Sequence, residues 1–546
     1  MIIKKLKIEN FKCFNGEFVL ELSKGLNVLV GNNEAGKSTI LEAVHLALTG
    51  LLNGKFIRNE LTQYLFNNEV VNKYIDDLDQ GRKPELPYVL IEIYIEGNDL
   101  AFLYGNGNSE KINGYGISFR IAFDDKYQAE YEQLIRKEKV KTLPIEYYDI
   151  FWATFAREQI TARSIPLKSA MIDSTSNRYQ NGSDIYISRI IKDNLEPDDV
   201  VEVSQAHRNM RESFMASPAI KTINTRLQQT TNLSGKKVEL SVELLSKNAW
   251  ENSLMTYLDE VPFHQIGKGE QCVVKTELAL GHKKTKEATV ILIEEPENHL
   301  SYSKLNQLLH KIQISNEEKQ ILISTHSSFV ANKLGLDKLI LLNEGRSLRL
   351  ADLKTDTKNF FQKVAGYDSL RLILCKKAIL VEGDSDELIV QKAYLNENGR
   401  LPIEDGVDVI SVGTSFLRFL EIAAILNKAV SVVTDNDGDV DAVKKKYIEY
   451  LGDKAKPGIK ICFDEVVDNG ESAIDLGGRP FNYNTLEPKL LKANTLEKLN
   501  KIFGTKQTSI DDMHKFMKAN KTECALKIFD YNESINFPEY ILEALR

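Results

Sequence analysis

The chain opens on two alternating stretches. Ile2-Ile3-Lys4-Lys5-Leu6-Lys7-Ile8 and Phe18-Val19-Leu20-Glu21-Leu22 switch between apolar and polar positions, which predicts two half-buried strands around a turn at Asn15-Gly16. Leu26-Asn27-Val28-Leu29-Val30 is a short apolar run ending in a glycine-containing loop, the pattern of a buried strand. Apolar residues then recur at Ile40, Leu41, Val44, Leu46, Ala47 and Leu48, which predicts a helix over Ser38–Leu48. Pro87–Ile95 reads as a further strand. The rest of 51–260 carries a weaker pattern. Its polar stretch from about Asn177 to Gly235, broken by Gly182, Pro197 and Pro218, reads as an inserted, mostly helical subdomain or as a surface elaboration.

Two later blocks repeat strand, helix, strand. The first has strands at Val290–Ile293, Gln320–Ser324 and Leu339–Leu342, with a helical face at Leu305, Leu308, Leu309 and Ile312. The second has strands at Ala378–Val381, Val407–Val412 and Ala429–Val433, with helices from Ser385 and over Leu417–Leu426. Such spacing predicts parallel sheets and an α/β fold class. Gly366-Tyr367-Asp368 interrupts the pattern between the blocks, so a boundary is expected at about 360–375.

Composition narrows the function classes. The 546 residues are 42% hydrophobic and 27% charged, ordinary for a globular protein. With 70 basic and 78 acidic residues the net charge is −8, which argues against a chain gripping nucleic acid with its whole surface but leaves room for a local basic groove. Cys13, Cys272, Cys375, Cys462 and Cys524 are scattered and never form C-x-x-C. Neither a disulfide framework nor a zinc knuckle is expected, and a reducing, cytoplasmic location is. Met1–Phe11 lacks the apolar core of a signal peptide, and no apolar run is long enough to span a membrane.

The first chemical motif is Gly31-Asn32-Asn33-Glu34-Ala35-Gly36-Lys37-Ser38, which fits G-x-x-x-x-G-K-[ST] between a strand and a helix. Its backbone N–H groups would cradle phosphate oxygens, with Lys37 against the β- and γ-phosphates. Ser38 would ligate Mg²⁺, and Thr39 adds a hydroxyl at the helix start. Glu294 and Glu295 end the strand Val290–Ile293, where open α/β sheets place ligands. Glu294 would support Mg²⁺ and Glu295 would act as general base on water. His326, after the next strand, would sense the γ-phosphate.

The second motif is acidic. Glu382-Gly383-Asp384-Ser385-Asp386 follows one apolar strand and Asp435-Asn436-Asp437 another. If a helix starts at Ser385, Glu382 and Asp386 can face one cation. In a D-x-D continuing a strand both carboxylates project to one side. Four hard oxygen donors suit Mg²⁺ or Mn²⁺ rather than zinc, and such ions serve in-line phosphoryl displacement. Lys444-Lys445-Lys446 reads as a contact to DNA phosphates or as a solvated face.

The first set of residues resembles the ABC-type ATPases, in the branch shared with SMC-like and recombination-associated proteins. Ile266-Gly267-Lys268-Gly269-Glu270-Gln271 resembles their signature segment, without its usual Leu-Ser opening, and Glu297-Asn298-His299-Leu300 their D-loop; Gln159 is the Q-loop candidate. The resemblance implies an ATP-bridged homodimer or higher homo-oligomer. Residues 40–266 hold no sustained heptads, so long coiled-coil arms are not expected. The second set resembles the Toprim domain. Glu382 and Gly383 match its glutamate turn, Asp386 its second acid, and Asp435 and Asp437 its D-x-D; Val412-Gly413 matches the segment before its next helix. The resemblance further implies Glu487 as a metal ligand and Lys521 as a transition-state lysine.

ABC ATPase followed by Toprim resembles the overcoming-lysogenization-defect (OLD) family, which includes retron-associated and Gabija-like antiphage nucleases. It implies an ABC-type P-loop ATPase head over 1–170 and 241–370, an inserted helical dimerisation subdomain over 171–240, and a Rossmann-like Toprim domain over 371–546. The implied activity is an ATP-binding, Mg²⁺- or Mn²⁺-dependent DNA endonuclease, with a separately encoded defence partner such as a helicase or a reverse transcriptase with its RNA–DNA. The alternative is an ATP-switched DNA-binding clamp or sensor without nuclease activity.

Overall fold

A computed structural model describes residues 1–97, 100–137, 139–173, 179–180, 183–184, 195–230, 238–240, 256–281, 285, 287–315, 319–343, 346–350, 353–363, 369–470 and 481–546. They form two compact units, Met1–Thr325 with Leu342–Ser347, and His326–Leu341 with Leu348–Arg546. Gly366-Tyr367-Asp368, the expected boundary signal, lies outside the described residues.

The first unit holds two large sheets. The opening strands run over Ile2–Glu9 and Glu17–Glu21 and pair antiparallel, with Leu6 opposite Leu20. Val89–Glu96, Gly114–Phe123 and Tyr148–Thr154 extend them into a six-stranded antiparallel sheet that also takes in Tyr104–Gly105. Gly114–Phe123 buries Ile117, Phe119 and Ile121 at period two, whereas Tyr148–Thr154 shows no clean period-two burial. The second sheet is parallel. Val290–Glu294 lies between Ser169–Asp173 and Gln320–Thr325, and Leu26–Gly31 pairs with the far side of Gln320–Thr325. Chain order is therefore shuffled in space, and strand ends from distant sequence converge.

The helix Lys37–Thr49 packs against strands of both sheets. Nine of its thirteen residues are buried, because a helix between two sheets has little face left for water. Of the 177–235 stretch, the described residues include two helices, Pro197–Ala216 and Pro218–Thr230. Glu196 receives Asp199 as a backbone cap, with Pro197 at the first helical position.

The second unit is built on a four-stranded parallel sheet. Lys377–Val381 pairs with Val407–Ser411 on one side and Ala429–Val433 on the other, and Ile459–Cys462 lies beyond Ala429–Val433. The helix begins at Asp384, one residue before the expected Ser385, because Gly383 provides an extended cap position. Five short C-terminal helices, Leu486–Ala493, Leu496–Phe503, Ile510–Ala519, Lys521–Asp530 and Glu539–Leu545, close the core. Leu499, Met513, Met517, Ile528 and Ile541 bury against Ile379, Val381 and Val433. Among the described residues no helix is long and apolar enough to cross a membrane.

Candidate nucleotide loop and acidic cluster

In the first unit the loop after Leu26–Gly31 has the expected form. Gly31 and Gly36 are buried, Asn32, Asn33 and Glu34 are exposed, and Ala35 is half-buried. The Ile40 N–H donates to the Gly36 carbonyl at 2.9 Å, starting the helix. Lys37 is buried, and its Nζ donates to the Gly31 and Asn32 carbonyl oxygens at 2.9 and 3.0 Å. Burial pushes its pKa below the ordinary value, against the opposing pull of Glu295 and Glu297. Ser38 is exposed; Thr39 is buried and accepts a weak bond from the Cys13 thiol at 3.4 Å.

Gly36 sits at φ 91°, and a Cβ there would lie 2.6 Å from the Phe14 ring. Gly36→Ala combines a left-handed strain with that clash and is expected to lower stability by about 1–3 kcal/mol. A denaturant titration against wild type checks this; an unchanged midpoint contradicts it.

Glu294 stands in register with Ser324 and Asp173 at the ends of neighbouring strands. Glu295 follows at φ 40°; its N–H donates to the Ser324 carbonyl at 3.0 Å and its Oε2 accepts from Asn298 Nδ2 at 2.8 Å. Thr325 Oγ1 donates to Glu297 Oε1 at 2.6 Å. Glu297 thus joins Glu295 in acting on Lys37, although the sequence placed it only in a D-loop-like segment; its spacing three residues past Glu294 was the available signal. His326 is exposed and opens the second unit. Gln159 bridges to Ala153 beside the antiparallel sheet.

In the signature-like segment a helix starts at Lys268. Gly269 approaches the His299 carbonyl so closely that a Cβ would meet it at 2.4 Å. Gln271 is buried and donates to the Phe263 and Ile266 carbonyls. Gly267, Lys268 and Glu270 face solvent.

In the second unit the acids come from three segments. Asp386 caps its own helix, accepting from the Gly383 N–H at 3.1 Å. The Gly413 N–H donates to the Glu382 carbonyl at 3.0 Å, which fixes the glutamate turn; the Glu382 residue is exposed. Asp435 Oδ2 accepts from the Leu486 N–H at 3.2 Å, and the Tyr540 hydroxyl makes a long 3.5 Å contact to its Oδ1. Glu487 is buried at the start of its helix and pairs with Lys521 Nζ at 3.1 Å.

The D-x-D departs from the strand geometry expected of it. The strand ends at Val433, so 435–437 is loop rather than pleat. Asn436 turns inward and donates to the Asp464 carbonyl at 2.7 Å. Asp437 is exposed at φ 48° and accepts from Asn482 Nδ2 at 3.0 Å. Of the lysine run, Lys446 lies over the Phe416 and Tyr447 rings, and all three lysines are exposed.

Electrostatics record the closeness of these groups. Burial first, then Asp386 and Glu487, push Asp435 well above the carboxylate range. Burial, then Glu487 and, less strongly, Glu382, push Asp386 up to about 6. Burial depresses Lys521, but Glu487, Asp435 and Asp386 outweigh it and the net shift is upward. Among the described residues no three His, Cys, Asp or Glu side chains form a ready-made metal site. The donors are nonetheless hard oxygens whose mutual repulsion a cation relieves, so their chemistry fits a divalent ion.

A raised carboxyl pKa means that the folded state binds the proton more tightly than the unfolded chain. Stability of metal-free protein therefore rises as pH falls through about 6, and the Asp386 contribution levels off below its unfolded value. Thermal melts in chelator from pH 7 to 5 are expected to show this slope, flattened in Asp386→Asn; identical slopes contradict the assignment.

Tyr540 escaped the sequence reading because nothing local marks it; only packing of the last helix brings it to Asp435.

Comparison with known proteins adds to this geometry. Residues 5–371 match a family described as AAA domain, and residues 373–437 one described as overcoming lysogenization defect protein-like, TOPRIM domain. The chain is 23% identical over 464 residues to the DNA repair protein RecN of Rickettsia prowazekii, covering 76% of this chain and 77% of that one. It is 33% identical over 75 residues to the DNA replication and repair protein RecF of Clostridium tetani, covering 14% of this chain and only 20% of that protein. The SMC head domain from Thermotoga maritima aligns with 64% of this chain and 99% of that one at 12% identity and a TM-score of 0.29.

Proposed function

Because this chain belongs to the AAA-domain family and joins that domain to an OLD-like Toprim domain, we propose that it is an ATP-hydrolysing, divalent-metal-dependent DNA endonuclease. The observation that carries the reading is the gathering of Asp386, Asp435, Glu487 and Lys521, from four separate segments, in one electrostatically coupled cluster.

In the first unit Gly31–Gly36 and Lys37 would hold the ATP phosphates, and Ser38 and Glu294 would hold Mg²⁺. Glu295 takes the proton of the attacking water, and Glu295 and Glu297 together oppose the effect of burial on Lys37. In an ATP-bridged homodimer, the exposed start of the helix at Gly267–Lys268 would face the nucleotide of a second copy. In the second unit Glu382, Asp386, Asp435, Asp437 and Glu487 would hold Mg²⁺ or Mn²⁺. The bound cation supplies positive charge to a phosphodiester and lowers the pKa of water. Lys521 holds a positive charge beside Glu487 and neutralises charge on the phosphate. Tyr540 keeps Asp435 in place. On the family resemblance, the setting is antiphage defence with a separately encoded partner.

A second reading, an ATP-switched DNA-binding clamp or sensor, is favoured by the lack of a ready-made three-carboxylate site among the described residues. Incubating supercoiled plasmid with the protein and Mg²⁺ or Mn²⁺, with and without ATP, separates the two. Nicked or linear product that disappears in chelator supports the nuclease. Intact plasmid in a gel shift supports the clamp.

A further inference from the structure

The strand Ile459–Cys462 is an edge of the second unit's parallel sheet and runs beside Ala429–Val433, with Cys462 opposite Val433. Parallel neighbours end on the same side of a sheet. The loop carrying Asp435-Asn436-Asp437 and the segment Asp464–Val466 therefore leave it together.

Asn436, the middle of the D-x-D, is buried. Its Oδ1 accepts from the Gly438 N–H at 3.0 Å, a turn that closes the loop around the left-handed Asp437. Its Nδ2 donates to the Asp464 and Val466 carbonyls at 2.7 and 3.3 Å.

Lys489 reaches the same two residues from a helix. It lies two positions after Glu487 on Leu486–Ala493 and is only 5% exposed. Its Nζ donates to Asp464 Oδ2 at 2.5 Å and to the Val466 carbonyl at 3.2 Å. The Val466 carbonyl thus accepts from both Asn436 and Lys489. Asp464 takes one on its carbonyl and the other on its carboxylate, whose Oδ1 also accepts from the Val466 N–H at 2.9 Å. A buried lysine is costly, and an apolar residue packs a helix at least as well. What the lysine adds is a fixed link between the helix that carries Glu487 and the segment that holds the D-x-D. The Leu486 N–H already ties that helix to Asp435 at 3.2 Å. One tie leaves a pivot; the second fixes an angle.

We propose that Asn436 and Lys489 are positioning residues, and that the Asp464–Val466 segment they share sets the spacing of Asp435 and Asp437 from Glu487 for a small divalent ion. The inference rests on the proposed metal-dependent reading and adds which ion the site prefers. Mg²⁺ demands near-octahedral oxygens at about 2.0–2.1 Å, whereas Ca²⁺ accepts a looser set at about 2.3–2.6 Å. Carboxylates on separately moving segments suit the looser ion. Carboxylates tied through one shared segment favour the stricter one.

The test is Mn²⁺ binding to the nucleotide-free full chain by electron paramagnetic resonance, with Mg²⁺ or Ca²⁺ as competitor. Lys489→Met keeps a long buried stem and removes the charge. Asn436→Ser keeps an acceptor for the Gly438 N–H and ends short of the Asp464 and Val466 carbonyls. Each is expected to weaken Mn²⁺ binding about 10-fold, the scale for residues that orient metal ligands. Each should also broaden the Mn²⁺ spectrum and reduce the preference for Mg²⁺ over Ca²⁺. Because both act through one segment, the double variant is expected within about twofold of the worse single. Lys492→Met removes an exposed pair with Asp468 on the same helix and is expected to bind Mn²⁺ like wild type. Circular dichroism checks the fold, and Asn436→Ser, in a loop, carries the test if Lys489→Met does not fold. Wild-type Mn²⁺ affinity and Mg²⁺ preference in Asn436→Ser overturn the inference and leave the metal-dependent reading intact. So does a double variant weakened by the product of the singles, about 100-fold, or a loss in Lys492→Met as large as in Lys489→Met. No Mn²⁺ binding by wild type overturns both.

Discussion

Asp435→Asn is expected to lower metal-dependent strand cleavage by roughly 10³-fold or more, the scale set by several kcal/mol of transition-state charge stabilisation from a bound cation. The Leu486 N–H, the Tyr540 hydroxyl and the charges of Asp386 and Glu487 all bear on Asp435. The amide has nearly the same shape, so packing by the C-terminal helices survives. Removing one negative charge also relieves repulsion, and the metal-free variant is expected to melt above wild type. Higher stability with lost cleavage is a signature that simple misfolding cannot give. ATP affinity should stay within about twofold, as for independent sites. Plasmid nicking, a thermal melt and nucleotide titration on one preparation check all three. Cleavage at the wild-type rate would remove the acids from the chemistry.

The second large effect is in the other unit. Lys37→Ala is expected to reduce ATP hydrolysis by about 10²–10³-fold, comparable to deleting one preorganised charge from a transition state. The Lys37 amine is held inside its own loop by the Gly31 and Asn32 carbonyls. It is ready to transfer those bonds to phosphate oxygens without searching for a rotamer. The methyl of alanine leaves the loop backbone in place but removes its charge opposite Glu295 and Glu297. Phosphate release and binding of a fluorescent nucleotide are the measurements. Unimpaired hydrolysis in this variant would contradict the assignment.

How much of this was legible in the sequence depends on how local each signal is. The P-loop is read from eight consecutive residues, because a glycine-bounded loop between an apolar strand and a helix has few other solutions. The strands Val290–Glu294, Gln320–Thr325 and Lys377–Val381 were visible because burial on both faces leaves an unbroken apolar run. Tyr148–Thr154 was not, because an irregularly exposed strand carries no such run. The D-x-D was found as composition, but its geometry was not: the strand stops at Val433, and a left-handed Asp437 replaces the expected alternation. Lys521 and Glu487 were found only through family resemblance. Their pairing, like the arrival of Tyr540, depends on C-terminal helices whose packing is a long-range property.

The central claim is that one polypeptide carries two separable divalent-ion centres. Mn²⁺ binding to nucleotide-free protein, followed by electron paramagnetic resonance, tests it most directly, because a P-loop depends on its nucleotide phosphates for much of its metal affinity. The account predicts bound Mn²⁺ in wild type and in Lys37→Ala, and its loss in Asp435→Asn. Equal Mn²⁺ binding by wild type and Asp435→Asn would contradict it.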